Sequence, residues 1–201
     1  ACLFYEEEAE APEVRKMAAY ALGKVGPACP NGIAKELARS LDKEADANAR
    51  AEKAKALGLL GYEVAKQFLA KLEALAADPD EGVGVAAVEA LTSWGQVDSV
   101  AKFINSPCGQ VRRVAINEVT RSPEVRLKHK ELIASRISDK ETVVRLAAVQ
   151  AIGDIGDAAE PEHLARLGAL HKGERQVKVR KMAVQSLGRV GPAGIPGLLQ
   201  L

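Results

Sequence analysis

Three histidines, three cysteines and a recurring arginine are the side chains of this 201-residue sequence with chemistry to offer. His163 and His171 stand eight apart, so one face of a helix can carry both imidazoles, which are common zinc donors. No third ligand accompanies them, and together with His129 they read as solvated surface histidines. Cys2, Cys29 and Cys108 are scattered and odd in number, with no CxxC pair, a poor basis for a disulfide framework or a zinc site. They read as free thiols, which suits an intracellular, reducing compartment, cytoplasm or organelle interior alike. GxSxG, Walker and GxGxxG signatures are absent. The glycines of LGKVGP (22–27) end a helical pattern and do not open one, so they form no phosphate-binding loop. The expectation is a chain with no catalytic residue, no cofactor and no metal.

Composition narrows the classes further. Lys plus Arg number 28 against 27 Asp plus Glu, a formal charge of +1, which gives no general attraction to nucleic acid or to an anionic membrane. Aromatics make up 3% and apolar residues 47%, mostly Ala, Leu and Val, a balance that favours helices over strands. No apolar run approaches the roughly 18 residues of a membrane span, which leaves peripheral association with a membrane complex compatible. The opening ACLFYEEE has neither a Met nor a basic-then-apolar leader, so a processed product or a fragment is expected.

What must position these residues is a repeated phrase. VRKMAAYALGKVGP (14–27) returns as VRKMAVQSLGRVGP (179–192), identical at 10 of 14 places. Further copies begin at Ala49, Val83, Val111 and Val144, so the intervals are 35, 34, 28, 33 and 35 residues. Counting the first residue as zero, apolar side chains recur near offsets zero, four, eight and eleven, the period of an amphipathic helix. Offset eight holds Leu22, Leu57, Leu91, Val119, Ile152 and Leu187. Offset eleven holds Val25, Leu60, Trp94, Ser122, Ile155 and Val190, so Trp94 reads as a core plug by register. A glycine follows at 26, 61, 95, 156 and 191 and suits the end of a helix; the fourth copy has Pro123 there. Glycine at offset nine (Gly23, Gly58, Gly153, Gly188) costs about 1 kcal/mol against Ala, and its recurrence points to close packing or a loosened last turn. A second helical pattern lies between the phrases, at 33–41, 64–75, 97–104, 126–137 and 162–170, closed by turns rich in Asp, Pro, Asn and Gly. One such helix pair cannot bury its apolar face alone, but a stack of pairs can.

The unit VRxxAxxALGxxG after an acidic turn resembles the HEAT repeat, in the short form associated with phycobilisome lyases. Copies 1, 5 and 6 match most closely; copies 2 and 3 depart at Lys53 and Gly84, and copy 4 reads INEVTRSP (116–123). The resemblance implies an all-α solenoid, a right-handed superhelix of about six helical hairpins forming one array over 1–201, with the VR helices on the concave side. It also implies a structural ladder in which Arg15, Arg50, Arg112, Arg145 and Arg180 bond acids of the preceding turns, as Asp139 with Arg145 would. The HE pairs of di-iron HEAT-repeat hydroxylases are missing, since no histidine here precedes a glutamate. Two further roles are weighed beside a binding scaffold: chromophore attachment or assembly of the lyase kind in a photosynthetic organelle, and a nucleic-acid-associated scaffold. The second is disfavoured by the charge balance and the lack of interleaved aromatics.

A scaffold should bind through inner-helix positions outside the core. Offset two supplies Lys16, Val85, Arg113, Leu146 and Lys181; offset six supplies Tyr20, Lys55, Asn117, Gln150 and Gln185. Val85 and Leu146, if exposed, would form a partly apolar groove for another protein subunit. EEEAEAPE (6–13) carries five acids and no base, whereas 171–181 carries Lys172, Arg175, Lys178, Arg180 and Lys181 against Glu174 alone, a basic end suited to an acidic partner. Both ends look uncapped, so their apolar surface, LLQL (198–201) included, is expected to be covered by more chain or by another subunit.

Overall fold

The computed structural model describes residues 11–199, and every regular element among them is helical. The acidic run at 6–10, Cys2 and the last two residues of LLQL lie outside the described residues. The chain divides into two compact units, Ala1–Phe103 and Ile104–Leu201.

In the first unit the repeated phrase forms α1 (Pro12–Val25), α3 (Ala47–Leu59) and α6 (Glu81–Ser93). These helices pack side by side, α1 on α3 and α3 on α6. Behind them run α2 (Asn31–Ser40), the pair α4 (Tyr62–Ala65) and α5 (Leu69–Leu75), and the short α7 (Val97–Val100). In the second unit the phrase forms α8 (Gly109–Arg121), α11 (Thr142–Ile155) and α13 (Val177–Val190), again packed in sequence. Their companions are α9 (Pro123–Lys128), α10 (Lys130–Ala134), α12 (Pro161–Gly173) and α14 (Ile195–Leu198). The outer helices are more broken than their sequence pattern predicts. Phe68 and His129 leave helical geometry, with φ near −104° and −108°, and split two of them into short segments.

The register read from sequence is the register of the core. Leu57, Leu91, Val119, Ile152 and Leu187 are fully buried at offset eight, and Leu60 and Trp94 fill offset eleven. The Trp94 indole N–H donates to the carbonyl of Gly58 at 3.0 Å, so its one polar atom is satisfied. The five phrase-ending glycines all have positive φ, 63° to 83°, which any Cβ would resist. The fourth inner helix stops differently: Ser122 turns to extended backbone and its hydroxyl caps the following helix, with Pro123 at its first position.

Glycine at offset nine has a packing role. A Cβ on Gly58 would lie 2.8 Å from the Cβ of Ala90, and one on Gly153 would lie 2.6 Å from the Cβ of Ser186. Gly23 meets the Cα of Ala56 in the same way at 3.1 Å. In each case the glycine of one inner helix receives the small offset-seven residue of the next, and neighbouring backbones approach closely.

Candidate functional site

The arginine ladder is built, but its polarity corrects the expected one. Arg145 donates from Nε and Nη2 to the carboxylate of Glu174, at 2.6 and 3.0 Å, in the turn between α12 and the next inner helix, α13. Its Nη1 donates to the main-chain carbonyls of Asp139 and Lys140 in the preceding turn. The Asp139 carboxylate therefore does not pair with Arg145. It accepts a two-pronged bond from Arg112, at 2.9 and 2.7 Å. The reason is reach: on the first helical turn, one edge of the guanidinium folds back over its own entry turn and leaves the other fork to face the next repeat.

Arg15 with Glu44 and Arg50 with Asp78 repeat the pattern. Each acid also accepts an amide N–H from two residues further on, as Asp139 does from Glu141 and Glu174 from Gln176. Burial pushes the Asp139 carboxyl up, but the bonds from Arg112 and the Glu141 amide outweigh it and hold it below the usual range. Arg180 keeps the carbonyl half of the pattern, with Nη1 donating to Glu174 and Arg175. Its Nε and Nη2 fork has no partner among the described residues.

Copy 2 adds a cation. Lys53, at an offset where the other copies have Ala, is fully buried and lies 2.9 Å from the Glu44 carboxylate. Burial acts to raise the Glu44 carboxyl; hydrogen bonds from Arg15, Lys53 and the Asp46 amide, with the charge of Lys53, bring it down to about 2.

Of the candidate partner-binding residues, Lys16, Tyr20, Lys55, Asn117, Gln150, Lys181 and Gln185 are exposed. Arg113 is half-buried and donates to the side chain of Gln110 at 2.8 Å. Val85 and Leu146 are half-buried too, short of the full exposure that was the condition for an apolar groove there. An exposed apolar side chain does occur one position class away, at Leu59. Leu59 and Lys55 border a hollow of about 230 Å³ between α3 and α6, floored by Gly58 and Ala90. A larger hollow of about 370 Å³ lies between α8 and α11. Asn117 and Gln150 stand on its walls, Ala147 and Ala151 form part of its lining, and Thr120, Arg121 and Asp154 complete it. Neither carboxamide has an intramolecular hydrogen bond among the described residues.

The histidines do not behave as a set. His163 is buried, correcting the expectation of a surface position. It lies on the inward side of α12 beside Leu164 and Leu167, with Nε2 3.1 Å from the exposed Glu131 carboxylate and Nδ1 without a partner. His129 is half-buried, and the side chain of His171 is outside the described residues. No cluster of three metal-ligating side chains forms among the described residues. Cys29 is buried, which raises its thiol above the ordinary range, and Cys108 is half-buried; both are free. No described helix is long and apolar enough to cross a membrane.

Sequence and structure comparisons agree on the architecture. A family model for HEAT repeats matches residues 6–92 and 97–188. No curated protein sequence matches the chain. Among solved structures, an engineered protein of a structural genomics consortium is similar with a TM-score of 0.52 at 20% identity; 97% of this chain covers 60% of that one. A designed armadillo repeat protein in complex with the peptide (KR)4 is similar with a TM-score of 0.53 at 18% identity, covering 94% and 98% of the two chains. The crystal structure of Kap121p gives a TM-score of 0.57 at 16% identity, with 96% of this chain spanning 25% of that one. At these identities the likeness concerns the fold.

Proposed function

This chain belongs to the HEAT-repeat family, and from that premise we propose that it is a non-catalytic scaffold, a subunit that holds an extended segment of another protein against its inner helices. The observation that carries the reading is the hollow between α8 and α11, with the unbonded carboxamides of Asn117 and Gln150 on its walls. A carboxamide both donates and accepts, so it can bond the N–H and C=O of an extended backbone without regard to sequence. The alanine floor leaves room for that backbone to approach.

Charge adds the preference. Arg175, Lys178 and Lys181 are exposed and have no ion pair among the described residues, which favours a partner segment carrying Asp or Glu. Selection from a displayed peptide library tests the reading. Acidic sequences free of helix-forming bias are expected to enrich on the protein, and Asn117→Ala with Gln150→Ala is expected to weaken the best of them about tenfold. Unchanged binding by the double variant would refute the proposed groove.

A further inference from the structure

Offset ten of the repeated phrase reads Lys24, Leu59, Ser93, Arg121, Asp154 and Arg189, so Leu59 is its one apolar member. Between α1 and α3, Leu59 leans over Gly23: its Cδ1 lies 3.0 Å from where a Cβ on that glycine would stand. Between α3 and α6 the corresponding side chain is Ser93, which is too short to roof Gly58 in the same way. Its hydroxyl turns down to the carbonyls of Ala90 and Gly58, at 2.7 and 3.2 Å. The space above stays open as the hollow of about 230 Å³ floored by Gly58 and Ala90.

Leu59 is 51% exposed and lines this hollow, so an apolar surface meets water inside it. The two offset-six residues that line it carry opposite charge, Lys55 on α3 and Glu89 on α6, and both are exposed. No ion pair joins them. Glu89 has no ion pair among the described residues, and Lys55 has only Glu52, 3.8 Å away on its own helix, a contact of little worth in water. The volume falls below the roughly 300–1,000 Å³ of pockets that take a drug-sized molecule, and suits a single side chain.

We propose that this hollow is a docking point for an extended segment of another protein that presents one large apolar side chain between an acidic and a basic residue. The apolar side chain packs on Leu59 over the glycine and alanine floor. The acid meets Lys55 and the base meets Glu89. Side chains alternate along an extended chain, so the two charged residues stand two places to either side of the apolar one, on the same face. The order of acid and base sets the direction in which the segment crosses from α3 to α6. Charge carries the choice of occupant: one cation and one anion on facing helices favour a segment of mixed sign over a uniformly acidic one. The site belongs to the first unit alone and stands independently of the hollow between α8 and α11.

Trp94 is the reporter: it is the single tryptophan, it follows Ser93 directly, and its indole N–H donates to the carbonyl of Gly58 in the floor. A synthetic peptide with Glu-Ser-Leu-Ser-Arg at its centre and Gly and Ser elsewhere is expected to shift Trp94 emission saturably. The same peptide with Ser in place of Leu is expected to leave it unchanged. Ser93→Leu puts on α6 the residue type that roofs Gly23 from α3, and the Gly58 carbonyl keeps its bond from Trp94. This variant is expected to retain the wild-type circular dichroism and lose the peptide. Lys55→Glu, at an exposed position, should weaken the peptide about fivefold and favour a version with Arg on both sides of the Leu. Asn117→Ala with Gln150→Ala should bind the peptide as the wild-type chain does. No saturable shift with the wild-type chain, binding undiminished by Ser93→Leu, an unaltered charge preference in Lys55→Glu, or binding lost in the double variant would each overturn the proposal.

Discussion

Glu44 shows how much one side chain can commit a repeat protein to a pH range. It is buried, and it accepts bonds from Arg15, Lys53 and the Asp46 amide. Its carboxyl titrates at about 2 when folded against an ordinary 4.5, so the folded state is favoured at pH values above 4.5. That contribution is lost as pH falls from 4.5 towards 2, where the folded chain must protonate a group whose cationic partners then lose their anion. Urea unfolding at stepped pH should show stability falling through this window. Glu44→Gln should be less stable at neutral pH and lose less on acidification. A variant with the same acid slope as wild type would place the slope elsewhere, for example at Asp139 or Glu174, whose carboxyls are also held low. The pairing of acid and arginine was legible in the sequence as a ladder; its direction was not. The consensus phrase names the residues that bond, but the choice between preceding and following turn depends on which edge of the guanidinium folds back. His163 was missed for a related reason: a polar residue type outweighed its place beside Leu164 and Leu167 on α12.

The glycines of the inner helices decide how closely neighbours approach. Gly153→Ala would set a Cβ 2.6 Å from the Cβ of Ser186 and 2.8 Å from its Cα, so helix or neighbour must shift. A loss of about 1–3 kcal/mol is expected in chemical denaturation. Gly188→Ala meets nothing and removes a flexible residue from a helix interior, so the isolated chain should gain up to about 1 kcal/mol. If both substitutions shift stability the same way, the close-approach account of this glycine fails. The inner helices were the most legible elements, because offsets zero, eight and eleven recur often enough to fix the register without structure. The outer helices were less so. Their apolar spacing survives the breaks at Phe68 and His129, and periodicity alone does not reveal a local departure from helical φ and ψ. The half-buried state of Val85 and Leu146 was beyond the sequence as well, since it depends on how tightly each helix is covered by its neighbours.

Across the molecule, each compact unit carries its own core and its own share of the ladder. The single tryptophan, Trp94, is buried in the first unit and packs edge-on against Tyr62, so its fluorescence reports that unit, whereas far-UV circular dichroism reports both. Arg112→Ala would leave Asp139 buried without its partner, at a cost of about 3–5 kcal/mol in the second unit. The circular dichroism transition should then move ahead of the tryptophan transition. Equal shifts in both would mean that the two units unfold together.

The arginine pattern has a further bearing on how such a chain can change its length. Arg50, Arg112 and Arg145 each tie to carbonyls six and five residues upstream and to one acid downstream, as Arg145 shows with Asp139, Lys140 and Glu174. Excising residues 145–179 would bring Arg180 to the same distance from Asp139 that Arg145 now keeps, and would leave the Arg112 bonds untouched. Duplicating that block would work equally well. Gain or loss of whole modules is therefore a mutation this architecture absorbs with its polar contacts intact, whereas an indel of one or two residues inside a turn would strip an arginine of its grip.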